Sequence, residues 1–192
     1  MTNTEDYEKV EVASAAALRE WLETNHGRED SVWLVTYLKA AGDKYVARDE
    51  VLDELLAFGW IDGVRRKLDE TRTMQLVCRR KTQWWSKTYK DRVARLTREG
   101  RMAAPGLEAV KAGKASGLWT FMDDVDALLI PSDLAAALAA RPPASDRFDA
   151  YPSAYKRNVL RWLKLAKADA TRAKRIEKIA ATSAENARIP QM

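Results

Sequence analysis

The chain has 192 residues, 46% hydrophobic and 32% charged, a balance that suits a globular fold with its own core and excludes a disordered, charge-dominated polymer. One cysteine and one histidine exclude an intrachain disulfide and any multi-cysteine or multi-histidine metal site, and leave little room for a His-based triad. The net charge is +5, and no apolar run approaches the roughly 18 residues that cross a bilayer.

The charge is unevenly spread. From Met1 to Gly63 there are six Lys+Arg against fourteen Asp+Glu, and from Val64 to Met102 thirteen against four. A basic segment interleaved with Trp84, Trp85 and Tyr89 is the pattern of a surface that meets an anion. If the acidic block folds onto the basic one, however, that surplus is consumed inside the molecule.

In chain order, a polar lead precedes a helix capped by Ser14, with Leu18, Trp21 and Leu22 inward, which Asn25-His26-Gly27 stops with Gly27 in the left-handed position. The lead, MTNTEDYEKVEV, is acidic and lacks the layout of a secretory signal, so a cytoplasmic location is expected. Val32–Leu38, β-branched and aromatic on both faces, predicts a central strand. A helix follows over Arg48–Phe58, with Val51, Leu52, Leu55, Leu56 and Phe58 as its apolar stripe and Gly59 as its stop. Trp60–Val64 and Thr73–Arg80 predict an antiparallel pair turning around Leu68–Thr71. Ser86 caps a helix to Glu99, and Pro105 opens another that ends before Gly117. Pro131-Ser132-Asp133 starts a short Ala-rich helix, and Arg141–Phe148 (RPPASDRF) reads as a linker. Ser153 and Asp169 then cap two final helices. The first carries Lys156, Arg157, Arg161, Lys164 and Lys167 opposite its apolar side, either a solvated face or a contact for nucleic acid, anionic lipid or an acidic partner. The order predicts an α+β fold, a small antiparallel sheet packed with helices, followed by a helical C-terminal extension: a body over 1–145 and a helical segment over 146–192 packed on it.

Several blocks resemble the YdeI/OmpD-associated family. These are Trp33-Leu34, Phe58-Gly-Trp-Ile-Asp-Gly63, Arg79-Arg80, Trp85-Ser86-Lys87, the run from Arg92 to Met102, Gly106-Leu107-x-Ala109, and Ala115-x-Gly117-x-Trp119. Near the C-terminus Phe148-x-x-Tyr151-Pro152, Ala166-Lys167 and Thr171–Ile176 resemble its closing helical segment. The resemblance implies a bacteriocin-protection or stress-response role tied by name to an outer-membrane porin. It implies no reaction and brings no catalytic residues. Two departures stand out: Tyr89 lies where the family usually has Asn, and Cys78 where proline is more usual.

The expected site is a groove where Trp60, Asp62, Arg79 or Arg80, Trp85, Ser86 and Lys87 converge. Asp62 would orient the arginine, the tryptophans would line the walls, and Ser86 with its helix N-terminus would offer donors to an anion. Strand alternation puts Arg79 and Arg80 on opposite faces, so one of them belongs to the pocket. The bland readings are an Asp62-Gly63 bulge, core tryptophans and a solvated strand end. Cys78 reads as a small buried residue rather than a thiol activated by Arg79, and His26 as a helix-terminal surface residue. The function expected is non-enzymatic binding of an anionic ligand or acidic protein partner, with no cofactor and no metal. A nucleic-acid-binding protein and a small-molecule enzyme using Asp62 are the alternatives, though the chain has no Walker A loop and no GxGxxG.

Overall fold

The structure, a computed structural model, describes residues 6–189. It divides into two compact units, one ending at Thr120 and the other beginning at Phe121.

The first unit is built on a four-stranded sheet in the order β1-β2-β4-β3. β1 (Lys9–Glu11) runs parallel to β2 (Val32–Tyr37), and β4 (Arg72–Arg79) pairs antiparallel with both β2 and β3 (Trp60–Lys67). The fold is α+β, and β2 is interior as its two-sided hydrophobicity requires. β1 falls within the stretch read as a polar lead. It is three residues long with Val10 alone buried, too short for any period to register. The β3–β4 hairpin matches expectation, with a register shift between Asp62 and Arg65 around Gly63. That is the bulge the sequence allowed for.

α1 (Ala15–Asn25) and α2 (Arg48–Ala57) cover one sheet face. Leu18, Leu22, Val51 and Leu55 pack there against Val32, Leu34, Trp60 and Val77. Ser14 caps α1 through Oγ, which accepts the Ala17 N–H at 3.0 Å. Gly27 does not take the left-handed conformation expected of it; the glycines with positive φ are Gly42, Gly59, Gly100 and Gly117.

α2 has a second buried face. Leu56 packs with Val93 and Leu96 of α3 (Lys87–Arg98) and Val110 of α4 (Ala104–Ala115), around the ring of Trp85. The start of α4 presses directly on the end of α2. The Ala103 N–H donates to Ala57 O at 3.0 Å, and a Cβ on Gly106 would lie 2.1 Å from that same oxygen. Only glycine allows this approach of two backbones. Gly59, at φ +73°, turns the chain out of α2 into β3 beneath Pro105.

The second unit is helical: α5 (Asp123–Asp126), α6 (Ser132–Ala139), α7 (Ala144–Ala150), α8 (Ser153–Lys164) and α9 (Asp169–Ala184). α9 packs on α6, α7 and α8. The expected linker Arg141–Phe148 is largely helix, and Phe148 is buried at 1% exposure. Paired prolines and polar residues suggested a break, but Ala144 and Phe148, four apart, supply an inward face. The sequence boundary was drawn at 145/146, whereas α5 and α6 belong by packing to the C-terminal unit. Ser153 and Asp169 are the first residues of their helices, and neither Pro152 nor Ala168 before them makes a side-chain cap. The basic side of α8 is partly engaged within this unit: Lys164 pairs with Asp124 at 2.5 Å and Arg157 with Asp126 at 3.8 Å.

Candidate functional site

Folding consumes much of the basic block. Asp53 and Glu54 of α2 are only 6% and 4% exposed, in a helix stretch buried from Asp53 to Ala57. Arg92 donates to Asp53 Oδ1 at 2.7 Å and also pairs with Asp49, while Arg95 contacts both Asp53 oxygens at 2.6 and 2.7 Å. Glu54 accepts from Arg101 at 2.7 Å and from Arg19 at 2.9 Å. Burial by itself would raise the Asp53 pKa, but hydrogen bonds from Arg95 and Arg92, with their charge, outweigh it and hold it below the usual value. Elsewhere Arg72 pairs with Glu11, and Arg79 and Lys81 share Glu29. At least six of the thirteen basic residues are therefore matched by acids from the N-terminal block.

Arg80 is different. It is 7% exposed and, among the described residues, pairs with no carboxylate. Its backbone N–H donates to Gly59 O at 2.9 Å, continuing the β3–β4 ladder one residue beyond β4. The guanidinium carbon lies 4.1 Å from the centre of the Trp85 ring and 4.9 Å from that of Tyr89. Nη1 donates to Gln83 O and Trp84 O, both at 3.2 Å, while buried Nε and Nη2 have no partner. Burial pulls the Arg80 pKa down from its usual value, opposed by Tyr89 and Asp62, and an arginine so placed still carries its charge. The aromatic faces compensate part of its lost hydration.

Asp62 does not orient the arginine as expected. Its Oδ1 accepts the Tyr89 hydroxyl, and its Oδ2 accepts Gln75 Nε2 at 2.9 Å and lies 4.0 Å from Arg48. Burial, then the bond to Asp62, raises the Tyr89 pKa, so this hydroxyl stays protonated and donates. Tyr89 is thus the bridge between Asp62 and the face of Arg80. It occupies the position where the family resemblance departs from Asn.

A pocket of about 600 Å³ lies beside this cluster. Arg79 and Arg80 both border it, together with His26, Phe58, Gly59, Glu108 and the opening of α4 at Ala104 and Pro105. Strand alternation predicted that the two arginines would separate. Their side chains do part, Arg79 exposed beside Glu29 and Arg80 buried beside Trp85 and Tyr89, yet both border the pocket. His26, read as a surface residue, forms part of the wall. Its Nδ1 sits 3.2 Å from both Leu22 O and Glu23 O, two acceptors to which it can only donate.

The remaining expected residues lie outside this pocket's wall. Trp60 is fully buried, its Nε1 donating to His26 O at 3.0 Å and its ring edge-on to Trp21 at 5.5 Å. Trp85 is 1% exposed and packs on Trp119 at 5.1 Å. Ser86 holds the N-cap position of α3 with no side-chain cap bond, and Lys87 pairs with Asp91 at 2.8 Å. Burial raises the Cys78 pKa in spite of its basic neighbours, as a small half-buried residue requires. The sequence reading missed His26, Gly59 and Tyr89 as site residues. The spacing of Trp85 and Tyr89, four apart at the start of a helix, was a usable signal for a shared face.

No curated protein and no solved structure matches the chain. Residues 127–186 match the profile of the family described as bacteriocin-protection, YdeI or OmpD-associated, and so carry the C-terminal part of the resemblance. The Phe58–Gly63, Arg79-Arg80 and Trp85–Lys87 blocks fall instead within a match over residues 10–109. That match spans just over half of the sequence, and the chain belongs to the family it defines, the domain of unknown function DUF8412.

Proposed function

We propose that the protein serves a bacteriocin-protection-type role by binding, without catalysis, a small anionic ligand in the pocket bordered by Arg79, Arg80 and the start of α4. The match of residues 127–186 supports the role. The observation that carries the binding mode is Arg80: a buried cation with two unmet donors at the edge of a pocket. A native fold rarely leaves such donors empty, because each costs about 1–3 kcal/mol, and a ligand that fills them recovers that cost. The helix N-terminus at Ala104 and Pro105 adds partial positive charge on the same wall.

The rival nucleic-acid reading needs aromatic faces open to bases, and Trp85 offers none at 1% exposure. Tryptophan fluorescence titrated with inorganic phosphate, benzoate and a short single-stranded oligonucleotide at two salt concentrations separates the readings. The proposal expects saturable quenching by a small anion, lost in Arg80→Gln. A response to the oligonucleotide alone, falling steeply with salt, would transfer the function to nucleic acid.

A further inference from the structure

The donors that Arg80 leaves unfilled are not an arbitrary pair. In a guanidinium group Nη1 lies on the same side as Cδ, while Nε–H and one Nη2–H run parallel along the opposite edge. That edge is the two-donor fork that grips two oxygens of one planar group. In Arg80 Nη1 is fastened to the Gln83 and Trp84 carbonyls, the guanidinium carbon sits over the rings of Trp85 and Tyr89, and Nε and Nη2 are the nitrogens without partners. The nitrogens left over are those of the fork.

Building on the proposed anion-binding role, we infer that the ligand is a small monocarboxylate with an apolar body, held bidentate by the Nε/Nη2 edge of Arg80. A carboxylate presents two coplanar oxygens and one negative charge, which matches one fork and one buried cation. A phosphate dianion presents more oxygens and more charge than this wall can meet. Arg79 is already bound to Glu29 at 3.0 Å, and Glu108 adds negative charge to the pocket. Apart from His26, the rest of the wall is largely apolar, with Phe58, Pro105, Ala109 and Ala112 placed to cover a hydrocarbon or ring. Both free nitrogens are shielded from solvent, so the carboxylate reaches them by moving side chains at the Arg80 wall of the pocket.

Three probes of similar size distinguish the outcomes: benzoate, its neutral isostere benzamide, and phenyl phosphate. Binding is read by calorimetry and by the arginine Nε–H signals in a proton–nitrogen correlation spectrum of the full chain. Benzoate is expected to bind saturably and to shift one arginine Nε–H downfield, a signal missing from Arg80→Lys. Benzamide, and benzoate with Arg80→Lys, should bind at least about tenfold more weakly. The lysine variant keeps the charge and loses the fork, and its backbone amide spectrum reports whether it is folded. Phenyl phosphate binding without benzoate binding would overturn the carboxylate assignment and leave the anion-binding role standing. Equal binding of benzoate and benzamide, or of benzoate to wild type and Arg80→Lys, would overturn the fork. No binding of either anion would overturn both readings.

Discussion

Two places in the first unit bury arginine nitrogens or their carboxylate partners, and they are built on opposite plans. Around Asp53 and Glu54, four arginines close on two carboxylates, and both acids have short contacts to at least two of them. Around Arg80 a single guanidinium lies among two aromatic rings and two backbone carbonyls, with one edge empty. The first arrangement is a clamp that ties α3 and its C-terminal turn to α2. The second spends stability, since burying an unpaired charge costs more than its ring contacts return. A fold that matches at least six basic residues elsewhere buries this one without a carboxylate among the described residues, and the proposed ligand rests on that contrast.

The largest effect is expected from breaking the clamp. Asp53→Asn removes the charge that compensates Arg92 and Arg95 and should cost about 3 kcal/mol in urea unfolding, the scale for stripping one partner from a buried ion pair. The same carboxylate sets an acid limb. Its folded pKa lies below its unfolded value, so its contribution is complete above the usual 3.8 and is lost as pH falls through the folded value. Wild type should lose stability below about pH 4 more steeply than Asp53→Asn. Parallel acid limbs would show that the clamp carries no net stabilisation.

Gly106→Ala comes next. The added methyl meets the Ala57 carbonyl at 2.1 Å, and a backbone oxygen cannot step aside as a flexible side chain does. A loss of about 1–3 kcal/mol is expected, with the pocket wall at Pro105 displaced and ligand binding weakened. Unchanged stability and unchanged binding would mean that α4 is not held against α2 as described.

Tyr89→Phe acts at the join between the two plans. It removes the hydroxyl from Asp62 and leaves the ring against Arg80. Asp62 retains Gln75, so about 1–2 kcal/mol should be lost, with α3 still docked by its clamp. A much larger loss would make Asp62 a pillar of the fold rather than a partner of Tyr89.

The contrast explains what the sequence could disclose. Helix α2 was legible from its apolar stripe, the β3–β4 hairpin from its alternation, and Gly59 as a stop from its position after Phe58. The charge asymmetry was visible too, but its consequence was not. Arg92 and Arg95 reach Asp53 across about forty intervening residues, and only a fold brings them together. For the same reason the anticipated groove was only partly located. The Arg79-Arg80 pair and Trp85, singled out in the sequence, do come together in space, with Arg80 over the Trp85 ring and both arginines at the pocket's border. Which tryptophan face is open, which acid touches which base and where α4 begins over Gly59 depend on contacts between distant segments. The helical α7 shows the local limit: Pro142-Pro143 dominated a reading in which Ala144 and Phe148 were the informative residues.

The smallest change in stability is expected at the residue that matters most for binding, and Arg80→Met measures it directly. Methionine retains most of the side chain's volume, removes a buried charge with unmet donors, and strands no carboxylate. Urea unfolding of this variant should fall within about 1 kcal/mol of wild type, or above it, while binding of the benzoate probe disappears. A loss near the 3 kcal/mol expected for Asp53→Asn, with benzoate binding retained, would show that Arg80 is a structural pin and contradict the ligand-binding role assigned to it.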